Sequence, residues 1–331
     1  MTVPPTKRDV RIAYFITSYR PPEQLHRLIS TLCHDQPEPS FLVHHDVFQS
    51  PLDVSLFSAM PNVHFMTSDH PIIWGDFSLE GVRWRAFRWI KENLDVDWVV
   101  LLSEQDYPIA PLGDLRARLG ATAADAVISG EKIDQIEDRQ LRREVTARYT
   151  FQYTTPPSLG FEQRLPAWWQ DLSTAGRRKA FAVVNRWIPM VYIHTTPKEL
   201  HSPSRIGLRA SSTPFDAAFP CWFHDSWFAL SRTAIEHVID YVDSHPEFVN
   251  FYRRTMIPVE SATGTILFND PQLKIENERL TITIWLNSES GRPETIGMDN
   301  LQYLLSTGAN FARKFDVGNT EVLDALDEVI F

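Results

Sequence analysis

The residues best suited to chemistry follow an apolar run in the first third of the chain. Trp98–Leu102 reads Trp-Val-Val-Leu-Leu, and Ser103, Glu104, Gln105 and Asp106 come directly after it, before a Tyr-Pro pair. Because an unbroken run of Val and Leu is typical of a strand buried on both faces of a parallel sheet, the polar residues are predicted at its carboxyl end. Open α/β sheets bind their ligands at that end. Asp106 is therefore predicted to face a ligand-binding crevice.

Two further predicted strands also end in polar residues. Residues 11–16 lead directly to Thr17, and residues 40–43 lead to a His-His-Asp sequence that ends at Asp46. Because parallel strands present their carboxyl ends at one edge of a sheet, Thr17, Asp46 and Asp106 are predicted to converge there. The convergence would build one crevice from residues that are distant in sequence.

Helices with one apolar face are predicted between these strands. One begins near Pro22, because proline is well placed in a first turn, and the next is predicted to be capped by Ser78. Their apolar residues recur at helical spacing: Leu25, Leu28, Ile29 and Leu32 in the first helix, and Leu79, Val82, Ala86 and Ile90 in the second. With a short strand at 63–66, the order is β-α-β-β-α-β. This order predicts right-handed crossovers and a mostly parallel sheet of the α/β class.

The distribution of charge limits the classes of partner. A net charge of −10 over 331 residues argues against a general nucleic-acid binder, which would be basic. Between Arg139 and Arg209, however, arginines and lysines outnumber acids. Such a basic segment indicates either a local anionic ligand or an internal face of ion pairs. The composition favours the ion-pair interpretation.

Cysteine usage and the amino-terminal residues bear on the compartment. Cys33 and Cys221 are too few for a disulfide framework and lack zinc-ligand spacing. The first nine residues lack the apolar core of a signal peptide, and no run of eighteen apolar residues occurs. We therefore expect a cytoplasmic protein without a membrane span. No P-loop and no G-x-G-x-x-G follows the first strand, which argues against P-loop NTPases and ordinary dinucleotide enzymes.

Seven blocks, in order along the chain, resemble the Core 2/I-branching N-acetylglucosaminyltransferase family, which also contains the peptide xylosyltransferases (glycosyltransferase family 14). They are Ile-Ala-Tyr-Phe-Ile at 12–16 with Pro-Glu-Gln-Leu at 22–25, His-His-Asp at 44–46, Trp-Gly at 74–75 with Phe-Ser-Leu at 77–79, Asp-Trp at 97–98 through Ser-x-Gln-Asp-Tyr-Pro at 103–108, Ser-Trp-Phe-Ala-Leu-Ser-Arg at 226–232, Glu260 with Thr-Ile-Leu-x-Asn at 265–269, and Phe-Ala-Arg-Lys-Phe-Asp at 311–316.

This resemblance implies a fold and a reaction. The fold is GT-A-like, with a Rossmann-like and mostly parallel sheet. The reaction is the inverting transfer of a sugar from a UDP-sugar to an acceptor hydroxyl, with GlcNAc as the default donor sugar and xylose and glucose left open. The family's animal members are membrane-anchored and rich in disulfides. This chain has only two cysteines and no run of eighteen apolar residues, so it resembles a bacterial-type soluble member. Its expected acceptor is a glycan, a lipid-linked precursor or a small molecule.

Inverting transfer needs a general base at the acceptor hydroxyl. By resemblance Glu260 matches the family's catalytic carboxylate. The family usually reads Pro-Asp-Glu there, whereas this chain reads Pro258-Val259-Glu260. The residues alone favour a glutamate in the first turn of a helix, where the helix dipole stabilises it. The resemblance favours the base.

The reaction also needs positive charge at the leaving diphosphate. The branching enzymes supply it with basic side chains instead of a metal, and Lys314 matches the lysine of their terminal motif. Arg313 is its neighbour, and Arg292 is a weaker second candidate. Asp95 and Asp97 form an Asp-x-Asp pattern, but they precede the strand from Trp98 and are predicted to lie in an exposed turn away from the crevice. No metal is therefore expected.

The remaining candidates are expected to line the two substrates. By resemblance Asp46 contacts the uridine or ribose, and Ile16 and Thr17 line the base pocket. Trp74 and Asp106 belong to the same donor site. Trp227 would provide an apolar wall for an acceptor sugar ring, and an ordinary core tryptophan is an equally weighted alternative.

Three segments follow from these assignments. Residues 10–130 form the Rossmann-like half that binds the nucleotide sugar. Residues 131–210 are predicted to be an irregular insertion rich in basic and aromatic residues. Residues 211–331 form the acceptor-binding and catalytic half and carry the phosphate-binding segment near the carboxyl terminus.

Two alternatives remain open. One is a non-catalytic glycan- or nucleotide-binding module on a decayed transferase fold, because the acid before Glu260 is lost. The other is a sugar-nucleotide nucleotidyltransferase, which would need a loop rich in Gly and basic residues after the first strand. The Thr-Ser-Tyr-Arg-Pro-Pro sequence at 17–22 supplies little of that.

Overall fold

The apolar runs of the first third form the centre of a seven-stranded sheet in the computed structural model, which describes residues 9–35, 37–60, 62–154, 174–194, 205–285 and 293–331. The described strands are, in chain order, β1 (Ile12–Ser18), β2 (Ser40–His45), β3 (Val63–Met66), β4 (Trp98–Ser103), β5 (Tyr107–Pro108), β6 (Ala126–Val127), β7 (Gly130–Lys132), β8 (Phe151–Tyr153), β9 (Val191–His194), β10 (Arg205–Arg209), β11 (Trp222–His224), β12 (Ala229–Ser231), β13 (Ile275–Glu276), β14 (Thr281–Thr283) and β15 (Phe311–Arg313). The described helices are α1 (Pro22–Leu32), α2 (Ser78–Asn93), α3 (Leu112–Ala121), α4 (Arg139–Thr150), α5 (Thr174–Trp187), α6 (Arg232–Ser244), α7 (Pro246–Tyr252), α8 (Ala262–Asn269), α9 (Leu301–Ser306) and α10 (Thr320–Ile330).

The central sheet has the strand order β13-β6-β12-β4-β1-β2-β3. Strands β4, β1, β2 and β3 are parallel neighbours, whereas β12 is antiparallel to both β4 and β6. The predicted β-α-β-β-α-β order and the mostly parallel α/β sheet are confirmed. The architecture is consistent with the expected GT-A-like fold.

Two helical layers cover the faces of this sheet. On β1, Ile12, Tyr14 and Ile16 pack with the apolar face of α1. The intervening Ala13 and Phe15 pack on the opposite face with α2 and α6. Because successive side chains of a strand point to opposite faces, a continuous apolar run is needed to fill both layers. The resulting core fixes the sheet edge where the polar residues emerge.

The predicted helix faces are confirmed, with one correction at Ser78. In α1, Leu25, Leu28, Ile29 and Leu32 are all fully buried. Ser78 is the first residue of α2 and makes no capping hydrogen bond to the helix. Its hydroxyl instead accepts from the Ile73 backbone N–H at 2.9 Å and bonds to Asp76. The serine closes the preceding loop because those groups lie nearer to its hydroxyl than the amides of the first helical turn.

The segment 131–210, predicted to be irregular, contains regular elements in its described part. Helix α4 leads into β8, which joins β10 and β9 in a three-stranded antiparallel sheet, and α5 precedes β9. For the described part of the segment the prediction of irregular structure was wrong. Helix α4 escaped the sequence analysis because it is mostly polar and buries little more than Val145, Ala147 and Tyr149. A helix with so few apolar residues gives a weak periodic signal. The division of the chain into three functional segments stays a prediction.

A second small sheet brings the carboxyl-terminal region to the end of β4. Strand β15 pairs antiparallel with β5, so Ala312 lies opposite Tyr107. The Phe315 backbone N–H also donates to the Gln105 carbonyl at 2.9 Å. These contacts place residues 311–315 beside the polar residues that follow β4. Across the described ranges, no helix has the combined length and apolarity needed to cross a membrane.

Candidate active site

The carboxyl ends of β1, β2 and β4 lie side by side, as the sequence predicts. Thr17 of β1 is in register with His44 of β2 and with Ser103 of β4. Beyond the strands, the Asp46 backbone N–H donates to the Ser18 carbonyl at 2.8 Å, and the Glu104 N–H donates to the Thr17 carbonyl at 3.0 Å. The sheet therefore extends into the loops that carry the candidate donor-binding residues.

Asp106 is fully buried at this edge and organises the loop after β4. Its Oδ2 accepts hydrogen bonds from the Ser103 backbone N–H and from Ser103 Oγ, the latter at 2.8 Å. Its Oδ1 lies 3.1 Å from Arg313 Nε. Burial raises the pKa of the Asp106 carboxyl, and the charges of Arg313 and Lys314 oppose that rise. Asp106 thus shapes the loop and holds a cation at the crevice.

Arg313 is fixed on two sides. Its Cζ lies 4.4 Å from the centre of the Trp227 ring, and its Nη2 lies 3.4 Å from Ser103 Oγ. Its side chain is 14% exposed. A guanidinium stacked on an aromatic ring and tied to a carboxylate has little rotational freedom left. Trp227, half-buried, therefore presents one ring face to Arg313 rather than packing wholly in the core.

Lys314 follows on the same strand end. Its backbone carbonyl accepts from the Ile296 N–H at 2.8 Å, which anchors the segment at 293–296 to β15. Its side-chain charge acts on Asp106 and lowers the pKa of that carboxyl. The structure therefore brings both predicted cations, Arg313 and Lys314, to the end of β4. Arg292 lies outside the described residues.

Glu260 ends a single 3₁₀ turn, Pro258–Glu260, that precedes α8. The turn begins after Ile257, whose φ of 51° is a left-handed conformation that β-branched residues rarely adopt. The Ile257 backbone N–H donates to the Gly75 carbonyl at 2.8 Å, so the loop of Trp74 is joined to the turn of Glu260. Tyr149 on α4 donates its hydroxyl to the Ile257 carbonyl at 2.9 Å. Contacts from two elements thus hold the strained residue in place.

Arg148 on α4 holds the carboxylate of Glu260. Its Nη1 donates to Glu260 Oε2 at 2.8 Å, and its Cζ lies 6.0 Å from the centre of the Phe223 ring. Partial burial raises the pKa of Glu260, Arg148 opposes the rise, and the nearby Asp225 adds to it. Glu260 remains 31% exposed, so a substrate can reach it.

Arg83 links the turn of Glu260 to the ring that stacks on Arg313. This fully buried arginine of α2 donates from Nη1 to the Val259 carbonyl at 2.9 Å and from Nη2 to the Ser226 carbonyl at 2.6 Å. Its Cζ lies 5.8 Å from the Trp227 ring centre. The charges of Glu260 and Arg313 both act on it. The candidate base and the candidate cation are therefore attached to one shared wall.

Sequence reasoning missed Arg83 and Arg148. A signal for Arg83 was present, because Glu80 and Arg83 are three residues apart on the otherwise apolar face of α2, and they form an ion pair at 3.4 Å. Charged residues on a buried helix face indicate a partner elsewhere in the fold. Nothing comparable marks Arg148, because α4 is polar on several sides.

The other predicted donor-binding residues lie close by but differ in accessibility. The Asp46 carboxylate is buried and accepts from the backbone N–H groups of Phe48 (3.1 Å) and Ile72 (2.9 Å) and from Gln49 Nε2 (3.0 Å). It joins two loops at the crevice. Trp74 is 36% exposed, Thr17 is half-buried, and the Ile16 side chain packs in the core below the edge. Their contacts with a donor stay predictions.

Asp95 and Asp97 lie at the opposite end of β4, as predicted. Both carboxylates pair with Arg11, and the Asp95 side chain is 83% exposed. Among the described residues, no three His, Cys, Asp or Glu side chains are grouped closely enough to hold a metal ion. The expectation of a metal-independent reaction stays a prediction.

Glu104, named above among the polar residues after β4, was given no role of its own by the sequence. It is fully buried beside Asp106, and neither carboxylate oxygen has a hydrogen-bond partner in the described part of the chain. Burial raises the pKa of Glu104 to about 7; the backbone N–H groups of Glu104 and Tyr19 and the charge of Arg20 oppose the rise, and Asp106 adds to it. The crevice therefore includes one carboxyl that titrates near neutrality.

Three comparisons with known proteins bear on this site. The model of the Core-2/I-Branching enzyme family matches residues 12–159. A β-glucuronosyltransferase, GlcAT14B of Arabidopsis thaliana, is 23% identical over 338 aligned positions that cover 97% of this chain. The chain spans 66% of the length of that relative. The crystal structure of HddC from Yersinia pseudotuberculosis shares 9% identity and a TM-score of 0.29, covering 68% of this chain and 79% of its own, which is too low to support an argument.

The family match agrees with the predicted class of protein and with the predicted enzyme, a glycosyltransferase. It covers the edge formed by β1, β2 and β4 and includes Asp46, Trp74 and Asp106. It ends before Glu260 and Lys314, so the roles of those two residues depend on the geometry and on the resemblance of their motifs.

Proposed function

We propose that this chain is a member of the Core-2/I-branching enzyme family, whose model matches residues 12–159, and that it is a glycosyltransferase that moves a sugar from a UDP-sugar to an acceptor hydroxyl with inversion at the sugar C1. The observation that carries the proposal is the set of contacts that Arg83 makes with the Val259 carbonyl, the Ser226 carbonyl and the Trp227 ring. These contacts join a partly exposed carboxylate, Glu260, to a fixed guanidinium, Arg313, beside the ligand-binding edge of the sheet.

Glu260 is proposed as the general base. Arg148 binds Oε2, which leaves Oε1 without a hydrogen-bond partner in the described part of the chain. As the acceptor oxygen forms its bond to C1, its proton passes to Glu260, and the bond from C1 to the diphosphate oxygen breaks with its electron pair on UDP. A carboxyl with a raised pKa is a better proton acceptor than an ordinary glutamate.

Arg313 and Lys314 are proposed to neutralise the departing diphosphate. Asp106 and Trp227 fix the guanidinium plane of Arg313, and a guanidinium held in one orientation binds phosphate oxygens in a bidentate manner with little entropy loss. Cations fixed in advance stabilise the charge that develops on the leaving group. This arrangement supports the expected metal-independent reaction.

For the donor sugar and the acceptor we propose classes of molecule, and for the location a cellular compartment. UDP-GlcNAc is the default donor, UDP-xylose and UDP-glucose remain candidates, and UDP-glucuronate joins them because the Arabidopsis relative is a β-glucuronosyltransferase. The acceptor is a glycan, a lipid-linked precursor or a small molecule. The presence of only two cysteines supports a cytoplasmic location.

A binding measurement tests the cation assignment. Calorimetric titration of UDP into wild type and Lys314→Ala should show about a tenfold to hundredfold loss of affinity, because one charge-assisted contact to phosphate is removed. Lys274→Ala, which removes an exposed lysine on a distant loop, is the matched control and should bind UDP as wild type does. Activity should survive EDTA. Unchanged UDP binding by Lys314→Ala, or strict dependence on added Mn²⁺, contradicts the assignment.

A further inference from the structure

The basic segment of the sequence surrounds a second cavity that none of the donor-site assignments uses. It has a volume of about 560 Å³ and lies between α4, α5 and the sheet formed by β8, β10 and β9. Five arginines line it against a single acid, Asp134: Arg139, Arg142, Arg143, Arg186 and Arg209. The volume is within the range of small-molecule binding sites and is larger than a single inorganic anion requires.

The arginines of this cavity are not held in ion pairs by the described residues. Arg142 reaches the Asp134 backbone carbonyl at 3.4 Å, and Arg143 reaches the Asn185 carbonyl at 3.5 Å. Arg209 lies over the Phe151 ring, 5.8 Å from its centre. In the ranges that the structure describes, no carboxylate oxygen lies within ion-pair distance of any of the five. Within the described residues, the ion-pair interpretation favoured from the sequence therefore does not account for these five arginines, and their number against one acid favours an anionic ligand.

Two aromatic rings complete the cavity wall. Phe151 and Tyr192 lie 5.6 Å apart between ring centres, and both line the cavity with the arginines. Phe151 is buried and Arg209 lies over its ring, so the half-buried Tyr192 provides the accessible aromatic surface. Aromatic faces pack on the C–H faces of sugar rings, while arginines bind carboxylate or sulfate groups in a bidentate manner. A wall that combines the two fits a saccharide that carries anionic groups.

Helix α4 connects the cavity to the candidate base. Arg139, Arg142, Arg143, Thr146 and Thr150 recur at helical spacing on the face that lines the cavity, whereas Arg148 faces Glu260 from another side of the same helix. A helix with its side chains is on the order of 10 Å across, so one extended molecule can reach both sites.

We propose that the arginine cavity binds the anionic groups of an acidic saccharide acceptor whose hydroxyl is presented to Glu260. The proposal deepens the proposed function and rests on it, because it names the class of acceptor. The shared chemistry is a saccharide bearing carboxylate or sulfate ester groups.

Direct binding without a donor tests this proposal separately from glycosyl transfer. Trigalacturonate and a sulfated trisaccharide are titrated into the wild type, with maltotriose as the neutral probe of similar size. At least one acidic probe should bind, with an affinity that falls as salt is raised, and maltotriose should bind at least about tenfold more weakly. The arm that binds identifies carboxylate or sulfate as the recognised group.

Variants locate the binding site. Arg142→Ala/Arg143→Ala should weaken acidic-saccharide binding at least about tenfold, because two bidentate contacts are lost, and Arg186→Ala on the opposite wall should weaken it by a smaller factor. Arg88→Ala/Lys91→Ala removes the same charge from exposed ion pairs on α2 and should have no effect. UDP binding should be unchanged in every variant.

The possible results separate the two proposals. Equal binding of maltotriose and the acidic probes, or wild-type affinity in both arginine variants, overturns the cavity assignment. Binding to phosphatidylglycerol vesicles without binding to either saccharide also overturns it in favour of a membrane surface. If acidic saccharides bind through these arginines but no UDP-sugar is bound, the cavity assignment survives as a binding site and the proposed transfer fails.

Discussion

The crevice and the arginine cavity lie on two sides of α4 and treat positive charge in opposite ways. In the crevice each key arginine is held by a carboxylate: Arg148 by Glu260, Arg313 by Asp106, and Arg83 by Glu80. The described part of the cavity has five arginines and one acid. Buried charges are stable only when they are paired, whereas exposed arginines can remain solvated until a ligand arrives. The crevice therefore holds its arginines in fixed orientations, whereas the arginines of the cavity can bind the anionic groups of a ligand.

This difference has an electrostatic consequence. Paired and partly buried groups are screened weakly by salt, but exposed cations are screened strongly. Binding at the cavity should therefore depend more steeply on ionic strength than binding of UDP at the crevice. A variant that changes one of the two regions should leave ligand binding at the other region unchanged, so the second region is an internal control.

The largest effect is expected for Glu260→Gln, which tests the crevice as a catalytic site. Glutamine can still accept the hydrogen bond from Arg148, but it cannot take a proton from the acceptor. The rate of transfer should fall by a factor of about 10² to 10⁴, the usual contribution of general base catalysis. Steady-state assays measure this loss, and titrations of UDP and of the acidic saccharide should both give wild-type affinities. Turnover close to that of the wild type would show that Glu260 is not the base.

The next largest effect concerns Glu104, the exception to carboxylate pairing in the crevice. Its pKa is raised to about 7 by burial, so the unfolded chain releases its proton more readily than the folded one. The free energy of unfolding should therefore fall as pH rises from about 4.5 to about 7 and then level off. Glu104→Gln has no ionisable group at this position, so its free energy of unfolding should not show this fall. At pH 8 the variant should be more stable than wild type by up to about 3 kcal/mol.

Denaturant unfolding at several pH values checks this expectation. The two proteins should differ little at about pH 4, where the glutamate is protonated in the folded state and mostly protonated in the unfolded state. Asp53→Asn, at an exposed turn, is a control that should not reproduce the gain above pH 7. A variant that is less stable than wild type at every pH would mean that Glu104 has a stabilising ionic partner.

The smallest effect is expected for Arg148→Ala, which removes the contact between α4 and the base. Because Arg148 lowers the pKa of Glu260, its loss should raise that pKa and move the acidic limb of the pH–rate profile to higher pH. The rate at neutral pH should fall by about tenfold or less, because the base remains but is less often deprotonated and less well oriented. Arg148→Lys keeps the charge and should restore most of the pH profile. A purely structural role would lower activity equally at all pH values.

The sequence predicted the sheet edge well because buried parallel strands and their polar ends have a strong local signal. The convergence of Thr17, Asp46 and Asp106 follows from strand order alone, and the registers with β2 and β4 agree with it. The direction of β4 also explains why Asp97, which precedes the strand, lies at the end of the sheet opposite the crevice and pairs with Arg11.

The partners of those residues could not be predicted because they come from remote parts of the chain. Arg148 and Glu260 are 112 positions apart, and Arg83 reaches the Val259 carbonyl over 176 positions. Helix α4 has few apolar residues, so its existence was missed. The ion-pair interpretation of its arginines holds for Arg148, which pairs with Glu260, but among the described residues it does not hold for the arginines of the cavity. Charge counts report that arginines cluster, but only the fold shows whether carboxylates lie among them.

The central claim is the inverting transfer of a sugar from a UDP-sugar, and one assay tests it most directly. Wild-type protein is incubated with UDP-GlcNAc, UDP-xylose, UDP-glucose or UDP-glucuronate and an acceptor alcohol, and UDP release and the anomeric configuration of the product are measured by NMR. We predict UDP release from at least one donor and a β-linked product from an α-linked donor. Retention of configuration, or tight UDP binding without turnover of any donor, would contradict the account.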